Sequence, residues 1–393
     1  MSDSLEKLFY ELISINSSNP DYSSLAPGEE EIGNFIYDLL CRNNIDCSRQ
    51  KAAPGRYNIM GFVKGNENSG NTKSRQPILL CSHLDTVYLE GMRFEATGDE
   101  EYIYGPGACD TKSSLAAMIR ALIEYSRCSH RNTDVFFIGA ASEESRHLGI
   151  RKFISSFPDI TGDIALCIIG EPTSIDTGIA HKGSLKLTIK TEGRSAHGSM
   201  PHLGVNAINM MSEIIYNINK RLVPTYEEFE DKLLGHATLN IGVINGGTAF
   251  NIVPNFCSIE IDRRVLPSES VDIVLKSFKN IILETGKGSR QFSAEIEKVN
   301  DYIPALKTDP SLILVRQFIH SCKKINKKSI TKGLPYATDG GFTFEAGIPT
   351  IVFGPGDIKN CHKLEEYVSK KELLMAFEVL KDFLFNFQVF NKA

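Results

Sequence analysis

Two histidines and a set of carboxylates follow apolar runs in this sequence, the positions where open α/β sheets present ligands. His83-Leu84-Asp85 comes after Ile78-Leu79-Leu80-Cys81. Side chains two apart in an extended segment point the same way, so His83 and Asp85 can face one point. A solvent-facing turn is the plainer alternative. Asp110 sits in Gly105-Pro106-Gly107-Ala108-Cys109-Asp110-Thr111-Lys112, where glycines let a tight loop approach a ligand. An aspartate there could equally cap a helix beginning near Ser113. Glu143 and Glu144 follow the apolar run 135–140. Adjacent carboxylates repel unless a cation lies beside them, or they open an exposed helix whose dipole tolerates them. Glu171 follows Ile169-Gly170, and His362 follows Gly354-Pro355-Gly356.

Each signal is weak alone, and together they describe one chemistry. Imidazole plus carboxylate is ligation suited to Zn²⁺, with Co²⁺ or Mn²⁺ as substitutes. Two cations held roughly 3.5–4 Å apart need a bridging ligand. An aspartate such as Asp110 has the two oxygens required.

The surrounding elements must bring these residues together. Leu5, Leu8, Phe9, Leu12 and Ile13 follow helical spacing, as do Ile32, Phe35, Ile36, Leu39 and Leu40. Strands are expected over 57–63, 78–81, 135–140, 164–169 and 350–353, with helices over 113–125, 311–319 and 368–387. In the last helix, Leu373, Leu374, Phe377, Leu380, Phe383 and Leu384 are placed to bury one face. Helices alternating with fully apolar strands imply an α/β sheet covered on both faces. A polar stretch over 66–74 reads as an exposed loop. The middle of the chain differs: strand 184–191, helix 206–222, strands 238–245 and 256–265, helix 270–284 and strand 292–299. That β-α-β-β-α-β order is ferredoxin-like. The expected organisation is a catalytic α/β domain made of 1–181 and 298–393, with an inserted α+β domain over 182–297.

Composition narrows the remaining classes. A net charge of −5 with no long basic run gives no electrostatic case for nucleic acid. No segment carries the roughly 18 apolar residues of a membrane span, and the first residues lack the pattern of a secretion signal. Nine scattered cysteines without a CxxC pair argue for reduced thiols and a cytoplasmic protein.

The motifs SHLDTV, GPGACDTKSSLAA, ASEES, IIGEPTS, AHKGSLKLTIKTEGRSAHGSMPHLGVNAI, LNIGVINGGTAFNIVP, IDRRVLP, ATDGG and FGPGDIKNCHKLEEYV run in order from about residue 80 to 370. The chain resembles the co-catalytic zinc amidohydrolases that include acetylornithine deacetylase, succinyl-diaminopimelate desuccinylase and carboxypeptidase G. The resemblance implies a zinc-peptidase-like domain with a mixed central sheet flanked by helices. The inserted domain would be a lid and dimerisation domain. His83, Asp110 and Glu171 would bind one zinc. Asp110 would bridge to a second, held also by Glu144 and His362. Glu143 would be the general base and Asp85 would orient His83. His197 would stabilise the oxyanion across a homodimer.

Asn251, Arg264, Gly340 and Gly341 match substrate-contacting positions, with Arg263 leaving the arginine ambiguous by one residue. The implied reaction removes an N-acyl group from a small amino acid, with N2-acetyl-L-ornithine the first substrate. A succinyl-diaminopimelate substrate or another N-acyl amino acid is the alternative, and ATDGG leans toward those branches. A catalytically silent binding module would lack a ligand or the base, and every such position is filled.

Overall fold

The computed structural model describes residues 2–66 and 77–387, so the polar stretch expected over 66–74 lies, beyond Asn66, outside the described residues. The chain divides into two compact units. One comprises Met1–Ala180, Lys307–Gly333 and Thr338–Ala393, and the other His181–Leu306 with Leu334–Ala337.

The first unit is built on a mixed sheet flanked by helices. Its middle strands are parallel neighbours, in the order Val135–Ala140, Ile78–His83, Leu166–Ile169, Thr350–Val352. Antiparallel strands Arg56–Val63 and Asp46–Ala53 extend one side, and Thr177–His181 pairs antiparallel with Thr350–Val352. Ile78–His83 and Leu166–Ile169 are buried along their whole length, which is why they read as unbroken apolar runs.

Helices cover the sheet with the stripes seen in the sequence. Leu5, Leu8, Phe9, Leu12 and Ile13 of helix Ser2–Ser14 are buried, as are Ile32, Ile36 and Leu40 of helix Glu30–Arg42. Helix Lys112–Ser126 is buried nearly all round and packs against helix Lys370–Asn386. Phe318, from helix Ile313–Ile325, meets Phe353 and Phe383 edge-on with ring centroids 5.0 and 5.2 Å apart. No helix among the described residues is long and apolar enough to cross a membrane.

The structure corrects several local expectations. Tyr367–Ser369 is a strand pairing with Tyr102–Tyr104, so the last helix starts at Lys370 rather than at 368. Leu374 is exposed on that helix, while its other five apolar positions are buried. Cys41 and Cys47 are joined by a disulfide, and the other seven cysteines are free thiols. The turn between helix Glu30–Arg42 and strand Asp46–Ala53 brings the pair together, a closeness that unclustered spacing concealed.

In the second unit, an antiparallel four-stranded sheet runs Thr238–Gly246, Phe256–Val265, Gly183–Glu192, Ala294–Ile303. With helices Ala207–Asn217 and Val271–Thr285 it forms the ferredoxin-like pattern. Leu185, Leu187, Ile189, Ile259, Ile261, Met211 and Phe278 share its core. Thr238–Gly246 forms a sheet edge.

Candidate metal centre

Register brings the chemistry to one end of the first unit's sheet. His83 pairs with Ala140, Cys81 with Ile169, and Ile169 with Val352. The four parallel strands therefore finish together, and the segments after three of them carry Glu143, Glu144, Glu171 and His362. His83 is itself the last residue of its strand.

Two donor sets share one residue. His83, Asp110 and Glu171 form one, and Asp110, Glu144 and His362 the other, each with its ligand atoms within 4.8 Å of one another. His83 Nε2 lies 2.9 Å from Asp110 Oδ1 and 3.7 Å from Glu171 Oε1. His362 Nε2 lies 3.3 Å from Asp110 Oδ2 and 3.2 Å from Glu144 Oε2. The two oxygens of Asp110 thus face different histidines, the arrangement a bridging carboxylate needs. The donor set fits a pair of divalent cations of the zinc, cobalt or manganese type. The alternative local readings fail. Thr111, not Asp110, precedes helix Lys112–Ser126, and Glu143 and Glu144 lie in a turn rather than at a helix start.

Electrostatics at the site are those of anions crowded out of water. Burial pushes the Glu143 carboxyl up to about 8, with His147 and His83 opposing and Asp339 and Glu144 adding. Burial and Asp110 hold Glu171 well above the carboxylate range, and Glu144 is raised for the same two reasons. Burial works against a charged His83, but Asp110, Asp85, Glu171 and Glu143 outweigh it and leave its pKa well raised. Hydrogen bonds to Asp110 and Glu144 push His362 up to about 11. Asp110 goes the other way: burial would raise it, and His362 and His83 together pull it far below its usual value. A corner that holds protons this tightly is one that cations can occupy in their place.

A ring of buried polar groups fixes the donors. The backbone carbonyl of Asp85 sits 2.9 Å from His83 Nδ1, while the Asp85 carboxylate is 3.6 Å from it. That carboxylate instead accepts the backbone N–H groups of Glu143 and Glu144, at 3.0 and 3.1 Å, and the Asn19 side-chain amide at 2.7 Å. Asp85 therefore ties the His83 strand end to the glutamate pair, and its backbone carbonyl, not its carboxylate, is the hydrogen-bond partner of the imidazole.

Glu366, absent from the sequence-derived site, is buried and accepts backbone N–H groups of Gly107, Cys109 and Asp110 at 3.1, 2.8 and 2.7 Å. Gly107 has φ +75°, and a Cβ there would stand 2.7 Å from Thr86 Cγ2, so the loop before Asp110 requires glycine. Thr111 Oγ1 donates to the Gly170 carbonyl at 2.6 Å, linking the Asp110 and Glu171 segments. The second residue that the sequence concealed is His147, whose Nδ1 is 2.8 Å from Asp339 Oδ1. Neither Glu366 nor His147 follows a strand directly, so strand-end reasoning had no handle on them.

The other expected residues are placed as follows. Gly340 and Gly341 are buried at the start of helix Gly340–Glu345. His197, Asn251 and Arg264 belong to the second unit. His197 is exposed and pairs with Ile252, Gly198 N–H donates to the Asn251 carbonyl at 2.7 Å, and His197 Nδ1 meets Ser199 Oγ at 2.7 Å. Strand alternation gives the two arginines different surroundings. Arg263 is buried beneath Tyr226 and bonded to Glu269, while Arg264 is part-exposed, with its guanidinium on Asp262 at 2.9 Å.

A family model described as Peptidase family M20/M25/M40 matches residues 79–386. The acetylornithine deacetylase of Proteus mirabilis (strain HI4320) is 31% identical over 354 residues, covering 86% of this chain and 84% of its own. That of Vibrio vulnificus (strain CMCP6) is 27% identical over 363 residues, covering 91% and 90%. Among solved structures, aminopeptidase PepT from Bacillus cereus ATCC 10987 superposes with a TM-score of 0.78 at 20% identity, covering 98% of both chains. The Bacillus subtilis YXEP protein, a dinuclear metal-binding peptidase from the M20 family, gives 0.72 at 14% identity over 98% and 97%.

Proposed function

This chain belongs to peptidase family M20/M25/M40, and on that footing we propose that it hydrolyses N2-acetyl-L-ornithine to L-ornithine and acetate, a step of arginine biosynthesis. It is a metal-dependent amidohydrolase. The observation that carries the reading is Asp110, shared by two donor sets beside the buried Glu143. The sequence relatives named acetylornithine deacetylase support the substrate.

His83, Asp110 and Glu171 would hold one zinc, and Asp110, Glu144 and His362 the second, with Co²⁺ or Mn²⁺ as substitutes. When bound, the cation pair lowers the pKa of water toward neutrality and polarises an amide carbonyl. Glu143 takes the proton from the attacking water and returns it to the leaving amine. Asp85 keeps the His83 imidazole and the glutamate turn in register. His197 stabilises the oxyanion, and Asn251 contacts the substrate beside it. Arg264 grips the substrate carboxylate in a bidentate pair, exchanging it for Asp262, while Gly340 and Gly341 line the carboxylate side.

The second unit acts as lid and dimerisation domain, and His197 serves the site of the partner subunit in a homodimer. The Thr238–Gly246 edge and the exposed Ile208, Ile244 and Phe250 support that assembly. The cytoplasm is its proposed compartment.

A panel of N2-acetyl-L-ornithine, N-succinyl-diaminopimelate, N-acetylmethionine and dipeptides, run with and without a chelator, tests the reading. Fastest turnover is expected with N2-acetyl-L-ornithine, and the chelator should abolish it. Preference for the succinyl substrate or for dipeptides overturns the substrate, and full activity after complete metal removal overturns the chemistry.

A further inference from the structure

The Glu143–Glu144 turn ends in an arrangement that the hydrolytic scheme leaves unused. Ser142 and His147 both have left-handed backbones, with φ +65° and +53°. Such conformations are strained for non-glycine residues and persist where the surroundings impose them. His147 N–H closes the turn by donating to the Ser142 carbonyl at 2.6 Å. The turn directs the His147 imidazole inward, where it is buried and packs on Phe342 with centroids 5.2 Å apart. Its Nδ1 stands 2.8 Å from Asp339 Oδ1 and 3.7 Å from Glu143 Oε1.

Asp339 supplies the independent observation. It precedes helix Gly340–Glu345 at the capping position, where aspartate ordinarily bonds the first turn. It makes no such side-chain bond there. Its buried carboxylate is turned on His147 instead. A carboxylate at Nδ1 fixes the imidazole's orientation and keeps the proton on that nitrogen. The resulting N–H lies between Asp339 and Glu143.

We propose that His147, anchored by Asp339, is a positioning residue that holds the Glu143 carboxylate in line for proton uptake and delivery. This rests on the reading of Glu143 as the base. It gives the aspartate of ATDGG a role: Asp339 acts through His147 on the base rather than on a cation.

The test uses the zinc-loaded full-length enzyme and the variants His147→Leu, His147→Asn, Asp339→Asn, the double variant H147L/D339N, and Glu143→Gln. His147→Leu should lower kcat by about 10- to 100-fold, the order that misplacement of a reacting group costs. KM should stay within about twofold of the parent value and zinc content should stay at two per chain, because Glu143 is not a ligand. His147→Asn keeps an N–H near the Nδ1 position and should recover a large part of the loss. The double variant should be no slower than His147→Leu, since both changes break one unit.

Parental kcat in His147→Leu and Asp339→Asn overturns the proposal. So do losses that multiply in the double variant, a fall in zinc content, or a His147→Asn enzyme that folds but is as slow as His147→Leu. Thermal unfolding of the metal-free proteins reports folding. If His147→Leu does not fold, Asp339→Asn, which preserves volume, decides by the same kcat and KM criteria. Glu143→Gln separates the two readings. Normal turnover in it removes the base assignment and this proposal together. An inactive Glu143→Gln beside unimpaired His147 and Asp339 variants removes this proposal alone.

Discussion

Asp110 turns one oxygen to His83 and the other to His362, so any change in proton occupancy at the centre is felt by both donor sets. In the metal-free protein, Glu143 is raised from 4.5 to about 8 and His362 from 6.5 to about 11, with Glu144, Glu171 and His83 shifted the same way. A raised group stabilises the fold fully below its unfolded pKa, and that contribution is lost as pH rises through the folded one. Asp110 and Asp85, which are lowered, work oppositely and lose their contribution only as pH falls below about 3.8. The metal-free enzyme should therefore weaken from about pH 4.5, through about 8 for Glu143 and up to about 11 for His362, and zinc, which displaces those protons, should bind more tightly with rising pH. We predict a gap in Tm between loaded and metal-free protein that widens across that range, and proton release in calorimetric zinc titrations. A constant gap would contradict the linkage.

At the same scale, Glu143→Ala should keep both metals yet lose nearly all turnover, a loss of about 10²–10⁴-fold for a missing acid–base group. Normal activity would refute its role. The donors themselves were legible in the sequence because each stands at or soon after an apolar strand or in a glycine-rich loop. Glu366 and His147 were not, because their meaning depends on which backbone N–H groups and carboxylates the fold brings beside them.

Between residue and molecule, helices and strands decide how firmly those donors are held. Glu366 fastens the loop before Asp110 to the segment that carries His362. Glu366→Ala would leave three backbone N–H groups unpaired. It should weaken zinc binding by about 10- to 100-fold, the usual cost of losing a supporting partner, as measured by competition with a chelator. Unchanged affinity would show that the loop holds itself. Phe318 pins helix Ile313–Ile325 between Phe353 and Phe383. Phe318→Ala should cost about 3–5 kcal/mol in denaturant unfolding while leaving the zinc stoichiometry intact.

Elements with strong periodicity were readable: helix Ser2–Ser14 by its apolar stripe, strand Val135–Ala140 by its unbroken apolar run. Strand Asp46–Ala53, sequence Asp-Cys-Ser-Arg-Gln-Lys-Ala-Ala, was not, because it is a half-exposed edge whose apolar marks, Cys47, Ala52 and Ala53, are small and do not alternate. Strand Tyr367–Ser369 was hidden for another reason. Three residues carry no period, and the long helix after them absorbed their pattern.

For the whole molecule, the two units divide the labour proposed above. The first contains all five proposed cation donors, and the second contains His197, Asn251 and Arg264. If His197 acts across subunits, His197→Ala and Glu143→Ala homodimers should each be nearly inactive. Mixed and re-equilibrated, they should regain up to about a quarter to a half of parental activity, because a hybrid pair carries one intact composite site. No recovery on mixing, or a fully active monomer by light scattering, would remove the cross-subunit role.

The order of the ligands along the chain has a temporal consequence. His83, Asp110, Glu144 and Glu171 all precede the second unit, whereas His362 follows it. Domains emerging from the ribosome fold as units, the earlier part first. The first unit is closed by segments on the far side of the second, among them Thr350–Val352 beside the Glu171 strand and Glu366 on the Asp110 loop, so a growing polypeptide can finish neither donor set until those residues have left the exit tunnel. Capture of two ions by a chain stalled before that histidine would show the order to be otherwise.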